Sequence, residues 1–157
     1  LLPGVKLGLA NIITLVTIAL FGFKEAIAVV VIRSVLGPIL GGSPTSILYS
    51  LAGGILSTII MAVLYNKYSK YFSLIGISTA GAVFHNIGQL LVASWVFGTI
   101  SILYTYLPIL MIAAAVAGYF IGLASHYILR FLPTYFFKPE KNRTKKNKTK
   151  KNKAKKG

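Results

Sequence analysis

The stretch FSLIGISTAGAVFHNIGQLLVASWVFG, residues 72–98, is long and apolar enough to cross a lipid bilayer as a helix, yet polar residues interrupt its middle. A spanning helix needs about 20 predominantly apolar residues. The hydrogen-bonding side chains are His85, Asn86 and Gln89. Hydrocarbon offers such groups no partners, so they face the interior of a helix bundle or a cavity. The stretch therefore predicts one helix of a membrane-embedded bundle.

Four further segments have a similar length and composition. They cover about residues 7–22, 25–40, 46–66 and 104–130. Glycine, proline and charged residues separate the segments, and Pro108 is expected to begin or kink the last helix. Of the 157 residues, 55% are hydrophobic, and the mean hydropathy of +0.75 is far above that of soluble proteins. We predict an all-α membrane protein with five transmembrane helices in this chain.

Positive charge is distributed unevenly along the chain. Of the 17 Lys and Arg residues, 11 lie in residues 138–156, where Lys alternates with Asn and Thr. This composition predicts two parts, a transmembrane helical bundle over residues 1–132 and a disordered Lys-rich tail over residues 133–157. We expect the tail to contact anionic membrane lipid. Because it has no aromatic residue after Phe137, nucleic acid is not favoured as its partner.

Four of the six remaining cations indicate the orientation in the membrane. They follow the first, third and fifth spans: Lys24, then Lys67 and Lys70, then Arg130. Short loops rich in Lys and Arg stay in the cytoplasm, so these loops and the C-terminus are expected there, in a bacterial cytoplasmic membrane. With five spans, residue 1 then lies outside, and we expect a further helix to precede it. The alternative is a true five-helix protein.

Two absences restrict the chemistry that this chain can perform. It has no Cys and no Asp, and its acidic residues are Glu25 and Glu140. Thiolate chemistry, paired carboxylates for acid/base catalysis and carboxylate clusters for Mg²⁺ are therefore excluded. Its two His residues are 41 positions apart, which argues against a metal site. We predict a protein that is not an enzyme, with no catalytic residue, metal or cofactor.

An ionisable side chain inside a span is a candidate functional residue. Arg33 cannot shed its charge, and Glu25 lies eight residues away toward the other end of the same helix. His85 and Gln89, at positions i and i+4, share one helix face. We predict an outward-facing pocket for a small, anionic ligand, and its candidate substrate-binding residues are Lys6, Asn11, Arg33, His85 and Gln89. The alternative is that these groups only join helices.

Other residues are assigned to helix packing. Asn86 is turned about 100° away from His85 on the helix, so we expect it to bond a neighbouring helix. Small residues at a spacing of four, including Gly118 and Gly122, let helix backbones approach closely. We interpret these residues as structural.

Four motifs carry a resemblance to a known family. They are PGVKLGLANIITL (3–15), FGFKEAIAVVVIRSVLG (21–37), YSLAGGILSTIIMA (49–62) and GAVFHNIGQLLVA (81–93). Over about residues 3–130 the chain closely resembles the bacterial family named heptaprenyl diphosphate synthase component I, also called the Gx transporter family. The run PGVKLGLAN, followed by LFGFKEA, also looks like the second helix and following turn of the substrate-binding S components of energy-coupling factor transporters.

The resemblance to S components implies a bundle of six helices, with a ligand site near the outer face and both termini inside. In those proteins the first helix contacts a coupling subunit that works with ATPases, and this chain has no counterpart of that helix. The implied function is capture of a small anionic or isoprenoid-related ligand for transport. The alternative is a non-catalytic membrane subunit of heptaprenyl diphosphate or quinone-precursor synthesis, with a soluble prenyl synthase as its partner. Prenyl synthases grip Mg²⁺-diphosphate through Asp-rich motifs, which this chain lacks.

Overall fold

Five α-helices make up almost all of the part of the chain that the computed structural model describes, which is residues 3–41 and 43–132. They are α1 (Pro3–Leu20), α2 (Phe23–Leu40), α3 (Ile47–Tyr68), α4 (Leu74–Val96) and α5 (Ser101–Phe131), with a short 3-10 helix at Pro44–Ser46. This confirms the predicted all-α fold. Each helix matches a predicted span, with ends that differ by a few residues. The Lys-rich tail predicted over residues 133–157 lies outside the described residues.

Three of these helices are long and apolar enough to cross a membrane by length and composition. They are Leu74–Val96, Ser101–Phe131 and the combined stretch Pro44–Tyr68. The apolar part of α1 over Ala10–Leu20 is shorter, and α2 carries three charged residues, Lys24, Glu25 and Arg33, in its 18 positions. Large apolar side chains such as Ile109 and Ile112 face outward from the bundle. The fold is thus that of a helical membrane bundle.

The path of the chain is up and down, with the turns at alternating ends. Gly22, between α1 and α2, has a φ of 113°, a conformation that glycine adopts without steric cost. The α1–α2 turn, the α3–α4 turn and the end of α5 therefore lie at one end of the bundle, which we call the turn end. The connections that include Gly41, residues 43–46 and residues 97–100 lie at the other end, the loop end.

Helix α4 packs against α3 and α5 through two different faces. Toward α3, a Cβ atom added to Gly88 would lie 2.8 Å from the carbonyl oxygen of Ala52. Toward α5, glycines at Gly118 and Gly122 contact the α4 backbone at Thr79 and Ile75. The missing side chains allow the close backbone approach that stabilises helix pairs in membranes.

Side-chain hydrogen bonds join some of the helix pairs. Ser78 of α4 donates to the carbonyl oxygen of Gly118 on α5 at 2.6 Å. Asn86 donates through Nδ2 to the carbonyl oxygen of Leu110 on α5 at 3.0 Å.

Helix α5 begins at Ser101, so Pro108 lies inside this helix. Of the two roles expected for Pro108, beginning the helix is therefore wrong.

The apolar core occupies the half of the bundle nearest the turn end. Its buried members include Leu15, Ala26, Met61 and Ile77 from four helices. All lie within about two turns of the α1–α2 or α3–α4 connection. Asn11, Arg33 and His85 lie on the loop-end side of this core.

Candidate functional site

A layer of polar side chains crosses the bundle between the apolar core and the loop end. We call it the polar layer, and its members are Asn11, Arg33, Ser57, His85 and Gln89. Asn11, Ser57 and His85 are buried, whereas Arg33 and Gln89 are half-buried. Four helices contribute these residues, which makes the layer a property of the assembled bundle.

Arg33 is the charged member of the polar layer. Its Nε and Nη1 atoms are buried and have no hydrogen-bond partner among the described residues. The nearest acid in sequence, Glu25, is exposed in the first turn of α2, and its Oε2 lies 3.4 Å from the Cβ position of Gly22 at the turn end. Eight residues of helix separate the two charges by about 12 Å. Arg33 therefore presents donors that nothing in the described part of the chain satisfies.

Two consecutive glycines of α3 separate Arg33 from His85. A Cβ on Gly54 would lie 3.7 Å from a terminal nitrogen of Arg33, on the α2 side. A Cβ on Gly53 would lie 2.7 Å from the carbonyl oxygen of His85 and 3.0 Å from Cγ of Gln89, on the α4 side. The absence of side chains on α3 thus brings these three residues into one neighbourhood.

His85 is only 4% exposed. Its ring lies beside the backbone of Gly53, and neither ring nitrogen makes a hydrogen bond of good geometry within residues 3–41 and 43–132. A neutral imidazole has one donor nitrogen and one acceptor nitrogen. His85 can therefore contact either kind of group on a ligand. Gln89, one turn closer to the loop end, adds an amide on the same helix face.

The other two predicted binding residues lie on α1. Asn11 is 2% exposed, and its Oδ1 has no hydrogen-bond partner within the described part of the chain. It lies eleven residues before Gly22, and Arg33 lies eleven residues after it, so the two residues are at the same depth in the antiparallel pair. Lys6 belongs to α1, but its side chain lies outside the described side chains. The geometry thus groups Arg33, His85 and Gln89, with Asn11 level with them.

Three features of this site were not assigned to it from the sequence. Gly54 and Ser34 flank Arg33 on the α2–α3 side. Ser57 has a fully buried hydroxyl without a partner among residues for which side chains are described, one turn below Gly53. The available signal was the pair of adjacent glycines in the middle of an apolar span, followed by serine four residues later.

The polar layer has donors for an anion but no grouping that suits a metal ion. No cluster of three or more His, Cys, Asp or Glu residues occurs in the described ranges. The donors are a guanidinium, an imidazole and amides, which suit a carboxylate or phosphate group. These groups can therefore donate hydrogen bonds to an anion.

Comparison with known proteins places this bundle in a family. No curated protein and no solved structure matches the chain. The family described as heptaprenyl diphosphate synthase component I matches residues 1–128, which include all five residues of the polar layer. This range is well over half of the chain, and the chain therefore belongs to the heptaprenyl diphosphate synthase component I family.

Proposed function

We propose that this protein is a membrane substrate-binding subunit, similar to the S component of an energy-coupling factor transporter, that captures a small anionic ligand. The observation that carries the proposal is that Nε and Nη1 of Arg33 are buried without a hydrogen-bond partner among the described residues, in a side chain whose Nη2 lies beside Gly54. Each of these nitrogens can donate a charge-assisted hydrogen bond to a carboxylate or phosphate oxygen. Lys6, Asn11, His85 and Gln89 are the further proposed contacts of the ligand.

The charge of Arg33 needs a partner that the described chain does not supply. Coulomb attraction falls with distance, so Glu25 at about 12 Å gives about one third of the attraction of a contact pair at about 4 Å in the same medium. An Arg side chain remains charged at any accessible pH. A bound anion would offset this charge and accept hydrogen bonds from the guanidinium.

The proposed orientation places the ligand site toward the outside of a bacterial cytoplasmic membrane, with the C-terminus in the cytoplasm. Exposed cations lie at the turn end of the bundle: Lys24, Lys67, Lys70 and Arg130. Cytoplasmic loops carry such an excess. Arg33 lies seven residues, about 10 Å along the axis, from the loop end of α2. A ligand would then reach the polar layer from the outer face.

A second function is favoured by the family description. Heptaprenyl diphosphate synthase component I denotes part of a synthase, so the chain is alternatively a non-catalytic membrane subunit that anchors a soluble prenyl synthase. Its lack of Asp supports a non-catalytic role, because prenyl synthases bind Mg²⁺-diphosphate through Asp-rich motifs. Under this proposal the cationic turn end would face the soluble partner.

The two functions predict different partners. A transporter subunit should co-purify from its native membrane with a coupling subunit and ATPases. A synthase anchor should co-purify with a soluble prenyl synthase. Recovery of the synthase without ATPases would refute the transporter proposal.

Anion binding is tested on the full chain in lipid nanodiscs by calorimetric titration with phosphate, pyrophosphate and acetate. Hydrogen bonds to charged groups contribute about 1.5–3 kcal/mol each, so Arg33→Gln should weaken binding of the preferred anion about tenfold to a hundredfold. Arg33→Lys keeps the charge but loses the planar fork, so its loss should be smaller.

The matched control is Arg130→Gln, which removes an exposed Arg from the last turn of α5. It should leave the affinity within about twofold, since a twofold change is well under 1 kcal/mol. If Arg33→Gln also stays within that range on folded protein, Arg33 is structural and the anion site is refuted.

A further inference from the structure

We infer that the ligand carries a hydrogen-bond donor, an O–H or N–H group, in addition to its anionic group, and that Asn11 accepts from this donor. The inference rests on the proposed function, because it assigns the second half of the same site. Under this inference, the protein binds anions that also carry a hydroxyl or amino group more tightly than anions that carry only hydrogen-bond acceptors.

The first step is the chemical character of the unpartnered atoms. The Nε and Nη1 atoms of Arg33 can only donate, whereas Oδ1 of Asn11 can only accept. If the layer were built solely for an anion, a buried acceptor would have no use in it. A buried acceptor left without a partner destabilises the ligand-bound protein. Oδ1 of Asn11 therefore requires a hydrogen-bond donor from the ligand.

The second step is that these atoms do not satisfy each other. Asn11 and Arg33 lie at the same depth, about 16 Å from Gly22 along their antiparallel helices. Both side chains nevertheless retain atoms without partners among the described residues. The layer therefore presents an acceptor on α1 and donors on α2 at one level, with neither used by the other.

The third step concerns His85, which lies across α3 from Arg33. Its neutral ring can donate from one nitrogen and accept at the other, so it can contact the anion, the donor or both. The protein needs no further charged group to bind such a ligand. A compact ligand with an anionic end and a hydroxyl or amino end would satisfy Arg33, His85 and Asn11 together.

The test compares two phosphates of similar size and equal charge, 2-hydroxyethyl phosphate and propyl phosphate, on the full chain in nanodiscs. One carries a hydroxyl where the other carries a methyl group. A single buried hydrogen bond corresponds to about a tenfold difference, so the hydroxylated phosphate should bind about tenfold more tightly. Arg33→Gln should weaken the binding of both.

Asn11→Leu removes the acceptor at similar volume and should abolish the preference, while propyl phosphate still binds. The control Asn86→Leu removes an amide that already bonds Leu110, and it should keep the preference even if thermal stability falls. Should Asn11→Leu fail to fold, Asn11→Ala serves the same comparison.

Three other outcomes of this binding test would each contradict a different part of the argument. Equal affinity of the wild type for the two phosphates would overturn this inference and leave the Arg33 anion site standing. A preference that persists in Asn11→Leu would remove Asn11 from the site. Failure of both phosphates to bind the wild type would overturn the anion site and this inference with it.

Discussion

Replacing Gly53 with alanine should separate α3 from α4 at the polar layer. The added Cβ would lie 2.7 Å from the carbonyl oxygen of His85, 3.0 Å from Cγ of Gln89 and 3.2 Å from Cε1 of His85. The first contact is with backbone, which cannot rotate away, and carbon and oxygen atoms resist approach much below about 3.3 Å. The helices must therefore move apart by several tenths of an ångström.

The expected cost is about 1–3 kcal/mol of unfolding free energy, the usual range for overpacking a close contact. The assay is reversible unfolding in mixed detergent and SDS micelles, followed by circular dichroism. The matched control is Gly76→Ala in α4, where the nearest atom would be 3.4 Å away, an ordinary contact. That change should be neutral or stabilising, because alanine favours helix more than glycine does.

A second effect should accompany the first. Gly53 lies between the α2 and α4 sides of the polar layer, so its replacement should also weaken the binding of the preferred anion. Gly53→Ala with an unfolding free energy equal to or above that of Gly76→Ala would refute the reasoning from close backbone approach.

Two further predictions concern topology and the tail. The chain has no Cys, so the variants Ser43→Cys and Ser69→Cys each carry a single cysteine that an impermeant reagent can label in intact cells. The cysteine at position 43 should react and the cysteine at position 69 should not. The reverse pattern would invert the proposed orientation. Deletion of residues 141–157 should leave folding and anion affinity unchanged, because this stretch has almost no apolar side chains to bury; lost affinity in a well-folded truncated protein, measured by calorimetry, would contradict it.

The helices could be read from the sequence because bilayer thickness fixes their length and charged or glycine-rich breaks separate them. The segment 25–40 is an instructive case. Its three charges weaken the hydropathy signal, yet its position between two clear breaks still predicted a helix, and α2 covers Phe23–Leu40. The periodicity of small residues likewise indicated that helices approach one another, without identifying the partner helix.

The arrangement of the polar layer depended on distances between helices, which one sequence does not contain. Gly118 was recognised as a packing residue, but its position against Thr79 follows from where α4 and α5 cross. The bond from Asn86 to the backbone of Leu110 likewise requires the register of α4 on α5. Residue spacing predicts which side chains share a helix face. The group that this face contacts is known only from the assembled bundle.

The two hydrogen bonds from α4 to the backbone of α5 have a consequence for how this protein enters the membrane. Ser78 and Asn86 both donate to carbonyl oxygens of a helix that leaves the ribosome after α4. Until α5 is synthesised, these interhelical acceptors do not exist, although Ser78 can still bond the carbonyl of Ile75 in its own helix. The amide of Asn86 then has to stay near water or the insertion machinery, because hydrocarbon offers it no acceptor. Helices α4 and α5 therefore enter the bilayer most favourably together, as a hairpin.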